Sequence, residues 1–496
     1  MFHIRKTKTQ SGKTAVQVVR YQQRRLIVVK HIGSSDSEID LASLYDRARQ
    51  WIGQASKQYK LFSDESQQPH HSLDEFNYVG FRYTLVYETL NQLFRRFKFH
   101  QLRKQLFVDL VIARIIEPCS KLQTIEYLKE YFGIDHRREY FYRQLLGFIK
   151  AKELIESKVL TGARDEFSFN FSFVFYDVTT LYFESFESDG LRKPGFSKDS
   201  KFNQPQIVLV LLVSADGFPV GYHLFEGNTF EGHTLIPVIL QFKRRHKIST
   251  FTVVADAAMI SRENIAALDA AHLQYIVGTR IANLPSHLIK SISDTLKRND
   301  NATIRLKTDH GDLICDYSEK RFRKDKRELD KQVQRAEKLL KNPGSIKRAK
   351  FITSEEQTYR LNTGLIEKTT MLLGIKGYHT NLPPSALSDR LVIEHYHSLW
   401  HVEQAFRIAK SDLQIRPVFH FKQQMIEGHI LMCFMALAIC KYMELKTGKS
   451  IKSIIKGLKG VTNTCLVHRT TGEEFTLRTA ISDDVHQLPD KLAILA

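Results

Sequence analysis

The stretch from Phe167 to Arg280 constrains most strongly what this chain can fold into. Three apolar runs rich in β-branched and aromatic residues follow one another: FSFNFSFVFYDVTTLYFE from 167, QIVLVLLVS from 206 and FPVGYHLFEGN from 218. Asp216-Gly217, a dipeptide of tight hairpin turns, joins the second run to the third. A helical stretch from Thr234 to Arg245, the strand TFTVVAD, a helix from Ser261 to Ala271 and the strand YIVGTR complete the order β-β-β-α-β-α-β. An antiparallel meander that passes into alternation makes a mixed sheet with helices packed on it, so the expected fold class is α/β.

The rest of the 496 residues must form further modules, since one core rarely grows that large. Residues 14–32 hold two β-branched runs around Tyr21–Arg25, which predicts a hairpin, and a helix follows through Leu41, Leu44, Ala48 and Ile52. The polar stretch Ser63 to His71 reads as a link. From Phe76 to about Glu166, Leu and Ile recur at helical spacing, with Arg95, Arg96, Lys98, Arg103 and Lys104 adding positive charge. After Arg280 the strand candidates ATIRLKT and LICDYS precede a basic segment, Lys320 to Lys350, with 13 Lys/Arg against 4 Asp/Glu. Phe322, Leu329, Val333, Ala336 and Leu340 share one helical face there, so the segment is an amphipathic basic helix, ended by Pro343-Gly344. MLLGIKGYHTNL reads as a returning strand, about Ser385 to Leu413 as one long helix, 425–445 as an apolar helix closing the core, and CLVHRTTGEEFTLRTAI as a terminal hairpin. The expected segments are an N-terminal hairpin-and-helix arm (1–75), a helical DNA-binding domain (76–166), the core in two parts (167–281 and 382–446), an insertion with the basic helix (282–381) and a C-terminal extension (447–496).

With 73 Lys+Arg against 54 Asp+Glu, the net charge of +19 points to a polyanionic partner. The opening MFHIRKTKTQSGKT lacks an apolar stretch behind its basic residues, which argues against a secretory signal. The run Ile430 to Cys440 is too short to span a bilayer. Five scattered cysteines without a C-x-x-C pair argue against a disulfide framework or zinc ribbon. A cytoplasmic protein with reduced thiols and no membrane partner is the expectation.

Two aspartates stand out because each follows a buried-strand pattern: Asp177 after Phe173-Val-Phe-Tyr176, and Asp256 after Thr252-Val-Val-Ala255. Ligand sites gather at strand ends in such sheets, although an Asp there also simply begins turns. A third carboxylate comes from the helix beyond the insertion. At about 100° per residue, Tyr396, Glu403, Arg407 and Lys410 fall within roughly 60° on one continuous helix. Such a stripe is either a surface salt-bridge ladder or a grip on a phosphate beside Glu403. His397 and His401 have the four-residue spacing of zinc ligands, but Glu403 is turned about 200° from His401 and no H-E-x-x-H occurs. Carboxylates from two strand ends and a helix suit magnesium, two ions of which can activate a water or 3′-hydroxyl and stabilise a leaving oxygen. Glu184, Asp199, Asp216 and Glu231 compete for the role, and Asp216 is explained by its turn.

The motifs D-V-T-T at 177–180, Gly227-Asn228 with Glu231, V-V-A-D at 253–256 and Y-x2-L-x3-E-x6-K ending at Lys410 together resemble the bacterial insertion-sequence DDE transposases with a Tyr-Arg-Glu-Lys signature. The resemblance covers about 170–281 and 370–446. It implies an RNase H-like core interrupted by a β-strand-rich insertion, with Asp177, Asp256 and Glu403 as catalytic metal ligands for two Mg²⁺ ions, Mn²⁺ being a substitute. It further implies terminal inverted repeats and target DNA as partners, a homodimer in a synaptic complex, and action at the bacterial nucleoid. The signature Arg is Leu399 here, which leaves Arg407 to replace it. Tyr396, Arg407 and Lys410, with Lys324, Arg327 and Lys331 of the basic helix, are the expected DNA contacts. Tyr317, Phe322, Phe351 and Tyr359 are the candidates for stacking an extruded base in the insertion. The competing readings are another magnesium endonuclease on the same core and a DNA-binding protein without catalysis.

Overall fold

The computed structural model describes residues 2–22, 25–55, 73–184, 187–196, 203–259, 261–309, 311–341, 350–355, 358–416, 418 and 420–494, and these fall into two compact units. One comprises Met1–Thr89, Glu126–Asp135 and Ile455–Leu488; the other comprises Leu90–Ile125, His136–Ile454 and Pro489–Ala496. The link at Ser63–His71, the stop at Pro343-Gly344 and Asp199 lie outside the described residues.

In the first unit β1 (Phe2–Lys8), β2 (Thr14–Gln22) and β3 (Arg25–Ser35) form an antiparallel sheet in that order. Alternation puts Val16 and Val18 on one face, where they bury against Leu44 and Ala48 of α1 (Glu38–Ala55). The expected hairpin is β2–β3, and β1 adds a third strand. The stretch read as helical from residue 76 instead opens with a strand, β4 (Phe76–Arg82). It pairs with β15 (Asn463–His468), which also holds β16 (Glu474–Arg478), so the terminal hairpin completes a sheet begun at the other end of the chain. Local periodicity did not reveal β4 because strand formation depends on the partner, and Phe76 pairs with His468. Helices α2 (Thr84–Arg96), α3 (Gln105–Ile116), α4 (Lys121–Phe132), α5 (Arg138–Ile149) and α6 (Lys152–Phe167) follow in the chain, as the spacing predicts, and α3, α5 and α6 belong to the second unit.

The second unit is built on an eight-stranded mixed sheet. Its first strands are β5 (Phe173–Tyr182), β6 (Gln206–Val213) and β7 (Pro219–Glu226); after α7 (Leu235–His246) comes β8 (Thr252–Ala255), and after α8 (Arg262–Ala270) comes β9 (Gln274–Thr279). Beyond α9 (Ser286–Thr295) lie β10 (Thr303–Thr308), β11 (Gly311–Tyr317), the basic helix α10 (Glu319–Leu340), the small hairpin β12 (Ile352–Glu355) and β13 (Thr358–Leu361), α11 (Thr363–Met371) and β14 (Ile375–Thr380). The strand order is β10-β11-β14-β9-β8-β5-β6-β7, with β5, β8 and β9 parallel and antiparallel pairing on both flanks. The segment after Arg280 is therefore no detached insertion: β14, β11 and β10 extend the central sheet past β9. An unpaired β9 edge would leave a row of amides unsatisfied, and β14 satisfies it, with Gly377 opposite Thr279.

The expected long helix after Pro383-Pro384 is broken into α12 (Asp389–His397) and α13 (Trp400–Arg407), followed by a π-helical turn, Ile408–Asp412. Tight i→i−3 hydrogen bonds, from His401 N–H to the Ser398 carbonyl at 3.0 Å and from Val402 N–H to that of Leu399 at 3.1 Å, mark the break. The apolar helix α14 (Gln423–Thr447) is long and apolar enough to cross a bilayer on length and composition alone, but it is buried by α3, α5, α6 and β7.

Candidate active site

The centre of the sheet brings the two aspartates side by side. In the parallel pair β5–β8, Phe173 lies opposite Thr252, Val174 opposite Val253 and Phe175 opposite Val254. Asp177 and Asp256 each follow two residues beyond the last of these pairs. β8 ends at Ala255 while β5 runs on to Tyr182, so Asp177 sits mid-strand rather than at a strand end, at the point where its neighbour stops. Each aspartate Oδ1 accepts the following backbone N–H, Val178 and Ala257 respectively, at 2.7 Å.

Glu403 is exposed on α13, which packs on β5 and β6, while α12 packs on β8, β9 and β14. The stacking of His395 on Phe173 at 3.7 Å fixes α12 to the same strand that carries Asp177. Tyr396 ties the group together: its hydroxyl donates to Asp256 Oδ1 at 3.1 Å. Burial, and then the negative charge of Asp256, Glu403 and Asp177, push this phenol well above the ordinary tyrosine range and keep it a donor. Gly278 of β9 makes room for it, since a Cβ there would lie 2.3 Å from the Tyr396 hydroxyl and 2.8 Å from its ring. Among the described residues Asp256 and Glu403 form no ion pair, and with Asp177 they act together on Tyr396; all three offer the oxygen ligands that a hard divalent cation takes, though their oxygens do not all lie within 4.8 Å of one another.

The break in the helix changes the expected stripe. Tyr396 and Glu403 remain near the aspartates. Arg407 is exposed and lines a cavity with Asp216, Gln404, Lys441 and Glu444, and none of the three carboxylates lines that cavity. Lys410 is half-buried in the π-helical turn, which shifts it out of α-helical phase with Glu403. Leu399, in the signature Arg position, is buried. His397 and His401 serve no common site: His397 Nε2 meets the Tyr378 hydroxyl at 3.1 Å, whereas His401 stacks on Trp400 at 3.9 Å.

Sequence reasoning missed Lys376 of β14. Its Nζ lies 4.5 Å from the centre of the Tyr396 ring and 5.7 Å from that of Tyr378. Burial and the nearby Arg321 pull its ammonium below the usual lysine range, partly offset by Asp316, Asp256 and Glu403. Tyr378 in turn donates to Asp316 Oδ1 at 3.1 Å, and Arg321 of α10 pairs with the same carboxylate at 3.5 Å. A chain of contacts thus runs from the basic helix to the aspartates. The available signal was a single Lys in a strand, IKGYHT, with no acidic residue to pair it.

On α10, Lys324, Arg327 and Lys331 are exposed along one groove with Asp300 and Glu319, opposite the face that buries Leu329 and Ala336. Of the four aromatic candidates, Tyr317 and Phe351 are buried in the core and Phe322 packs against it, leaving Tyr359 exposed. Trp400, three residues before Glu403, is 52% exposed.

In the first unit Asp40, Glu75 and His468 bring ligand-type atoms within 4.8 Å of one another. The His468 tautomer opposes a metal there. Nδ1 accepts the N–H groups of Thr470 and Thr471 at 3.3 and 3.2 Å, so the proton sits on Nε2, which faces Glu75 Oε2 at 3.4 Å. Asp40 instead accepts from the hydroxyls of Ser35 and Thr470 at 2.9 and 3.1 Å.

Residues 170–439 match the protein family described as transposase DDE domain. No curated protein matches. Among solved structures, the piggyBac transposase synaptic complex with hairpin DNA is 9% identical, with 83% of this chain and 75% of that chain covered and a TM-score of 0.38. The Mos1 transposase paired-end complex with left transposon end is 12% identical and the pre-cleavage Mos1 transpososome 13%, each covering 46% of this chain and 66% of that chain with a TM-score of 0.16.

Proposed function

Because this chain belongs to the family of transposase DDE domains, it is an enzyme of DNA strand cleavage and transfer, and we propose that it mobilises a bacterial insertion sequence of the Tyr-Arg-Glu-Lys class. Its eight-stranded mixed sheet is consistent with an RNase H-like core. In this reading Asp177, Asp256 and Glu403 are the catalytic carboxylates and hold two Mg²⁺ ions, for which Mn²⁺ substitutes. The observation that carries it is the parallel register of β5 on β8, which puts Asp177 and Asp256 each two residues beyond the Phe175–Val254 pair, with the helix of Glu403 laid on β5.

The bound cations would activate a water or 3′-hydroxyl and stabilise the departing oxygen. The chain's own residues orient the reaction. Tyr396 fixes one oxygen of Asp256 and so the direction in which the other points. Lys376 adds a cation beside Asp256 and Glu403 from the last strand of the insertion, where Leu399 contributes none. A scissile phosphate brought to the carboxylates meets that ammonium in a half-buried setting, where a charge interaction is stronger than in bulk water. Lys410, Arg407 and the basic face Lys324, Arg327 and Lys331 grip the DNA away from the cut. The partners in this reading are terminal inverted repeats and target DNA, held by a homodimer in a synaptic complex at the bacterial nucleoid.

The test uses purified full-length protein and a duplex containing the junction of the element and its flank. Asp177→Asn, Asp256→Asn and Glu403→Gln should each abolish Mg²⁺-dependent cleavage while leaving duplex binding within a few-fold, since phosphate contacts dominate affinity. Cleavage at the wild-type rate by any variant removes that residue from the site. Cut ends that never join a second duplex would favour a simple endonuclease over a transposase.

A further inference from the structure

Residues 1–35 contain eight Lys and Arg and not one Asp or Glu, the first acid being Asp36. That bias falls on the β1–β2–β3 sheet. Phe2, Ile4, Val16 and Val18 point to α1, where they meet Leu44, Ala48 and Trp51. Strand alternation therefore sends His3, Arg5, Gln17, Val19 and Tyr21 to the opposite face. The register aligns His3 with Val19 and Val28, and Arg5 with Gln17 and His31. His3 and Tyr21 meet edge to face at 6.2 Å. Val19 is buried as a floor, while His3, Arg5, Tyr21, Val28 and His31 are exposed around it. Acidic Glu38, Asp40 and Asp46 stand behind, on the helix.

We propose that this sheet face, rather than the helices after residue 84, reads a DNA duplex through the major groove. The proposal rests on the DNA-cutting function above and deepens it by naming the reading surface. Charge selects a polyanion, because a second copy of the same acid-free sheet would be repelled. Side-chain chemistry selects base edges: Arg5, Gln17, His3, His31 and Tyr21 can donate or accept hydrogen bonds, and Val28 offers apolar contact to a thymine methyl. Dimensions agree as well. Two strand spacings put β1 roughly 10 Å from β3, and the major groove is about 12 Å wide. The conformational cost of ordering is small because the sheet is already fixed by α1.

The experiment titrates full-length protein with a duplex from the DNA bordering its gene in three forms: plain, carrying glucosylated 5-hydroxymethylcytosine that fills the major groove, and saturated with netropsin in the minor groove. Glucosylation should weaken binding about tenfold or more, the loss of one to two base contacts, and netropsin should leave it unchanged. Arg5→Gln combined with Tyr21→Ser, both at exposed positions, should weaken binding to the plain duplex about tenfold, narrow the gap between the plain and glucosylated duplexes and leave the melting temperature unchanged. Equal affinity for plain and glucosylated duplexes overturns the proposal, as does competition by netropsin. Wild-type affinity of the double variant overturns it too, and a change in its sedimentation mass would assign the face to a second copy. The inactive Asp177→Asn protein separates the two claims, because its binding should show the same groove dependence whether or not the carboxylates cut DNA.

Discussion

At the scale of single residues, the site divides into what a strand announces and what only neighbours reveal. Asp177 and Asp256 were legible because each ends a run of buried apolar residues, and a carboxylate there needs a reason. Lys376 was not, since nothing in GIKGYHT says that its strand lies next to β9 or that Tyr396 comes across from a helix. Its ammonium over the Tyr396 ring makes a specific prediction: Lys376→Met should slow strand cleavage about 10²–10³-fold, the usual cost of losing one preorganised electrostatic group. Duplex affinity should change far less. Lys376→Arg keeps the charge and should recover part of the rate, and a Met variant that cuts like wild type would exclude Lys376 from the reaction. The break at Ser398 and Leu399 separates Tyr396 from the helix that carries Glu403 and Arg407, so the stripe expected on one continuous helix is divided between two.

At the scale of elements, helix α10 was foreseen in both its faces, because its apolar positions keep a 3.6-residue period over many turns. Leu329 and Ala336 are buried, and Lys324, Arg327 and Lys331 are outside. Such a face in water contributes little to stability, so its charge is free to serve binding. Lys324→Glu, Arg327→Glu and Lys331→Glu together should weaken duplex binding by more than tenfold at low salt and flatten the dependence of log affinity on log salt. A helix that is only a solvated face would leave both quantities untouched. Arg321 belongs to the same helix yet pairs with Asp316, which bonds Tyr378 beside Lys376. A load on α10 therefore has a mechanical route to the carboxylates through two tyrosines. Neither the helix nor the strands alone, read in sequence, contained that connection.

At the scale of the whole molecule, the order of elements from β5 to β9 was readable and the closing of the sheets was not. Pairings such as β9 with β14 and β4 with β15 join segments far apart in the chain, and strand propensity carries no record of a distant partner. β15 is the middle strand of its sheet, so Leu466→Pro, opposite Tyr78 and Phe475, should break the ladder on both sides. Hydrogen exchange should then lose protection across Phe76–Arg82 while β5, β8 and β9 keep theirs; undisturbed protection of Phe76–Arg82 would mean that β4 stands without its partner. The same pairing bears on how the protein is born. A ribosome finishes every strand of the eight-stranded sheet before it reaches Asn463, so the sheet that β4 begins is closed only after all the strands of the larger sheet have been made. A nascent chain thus has β5 and β8 in hand before β4 has its partner, and a message truncated before the final β-hairpin yields a product that has the three carboxylates but leaves β4 unpaired.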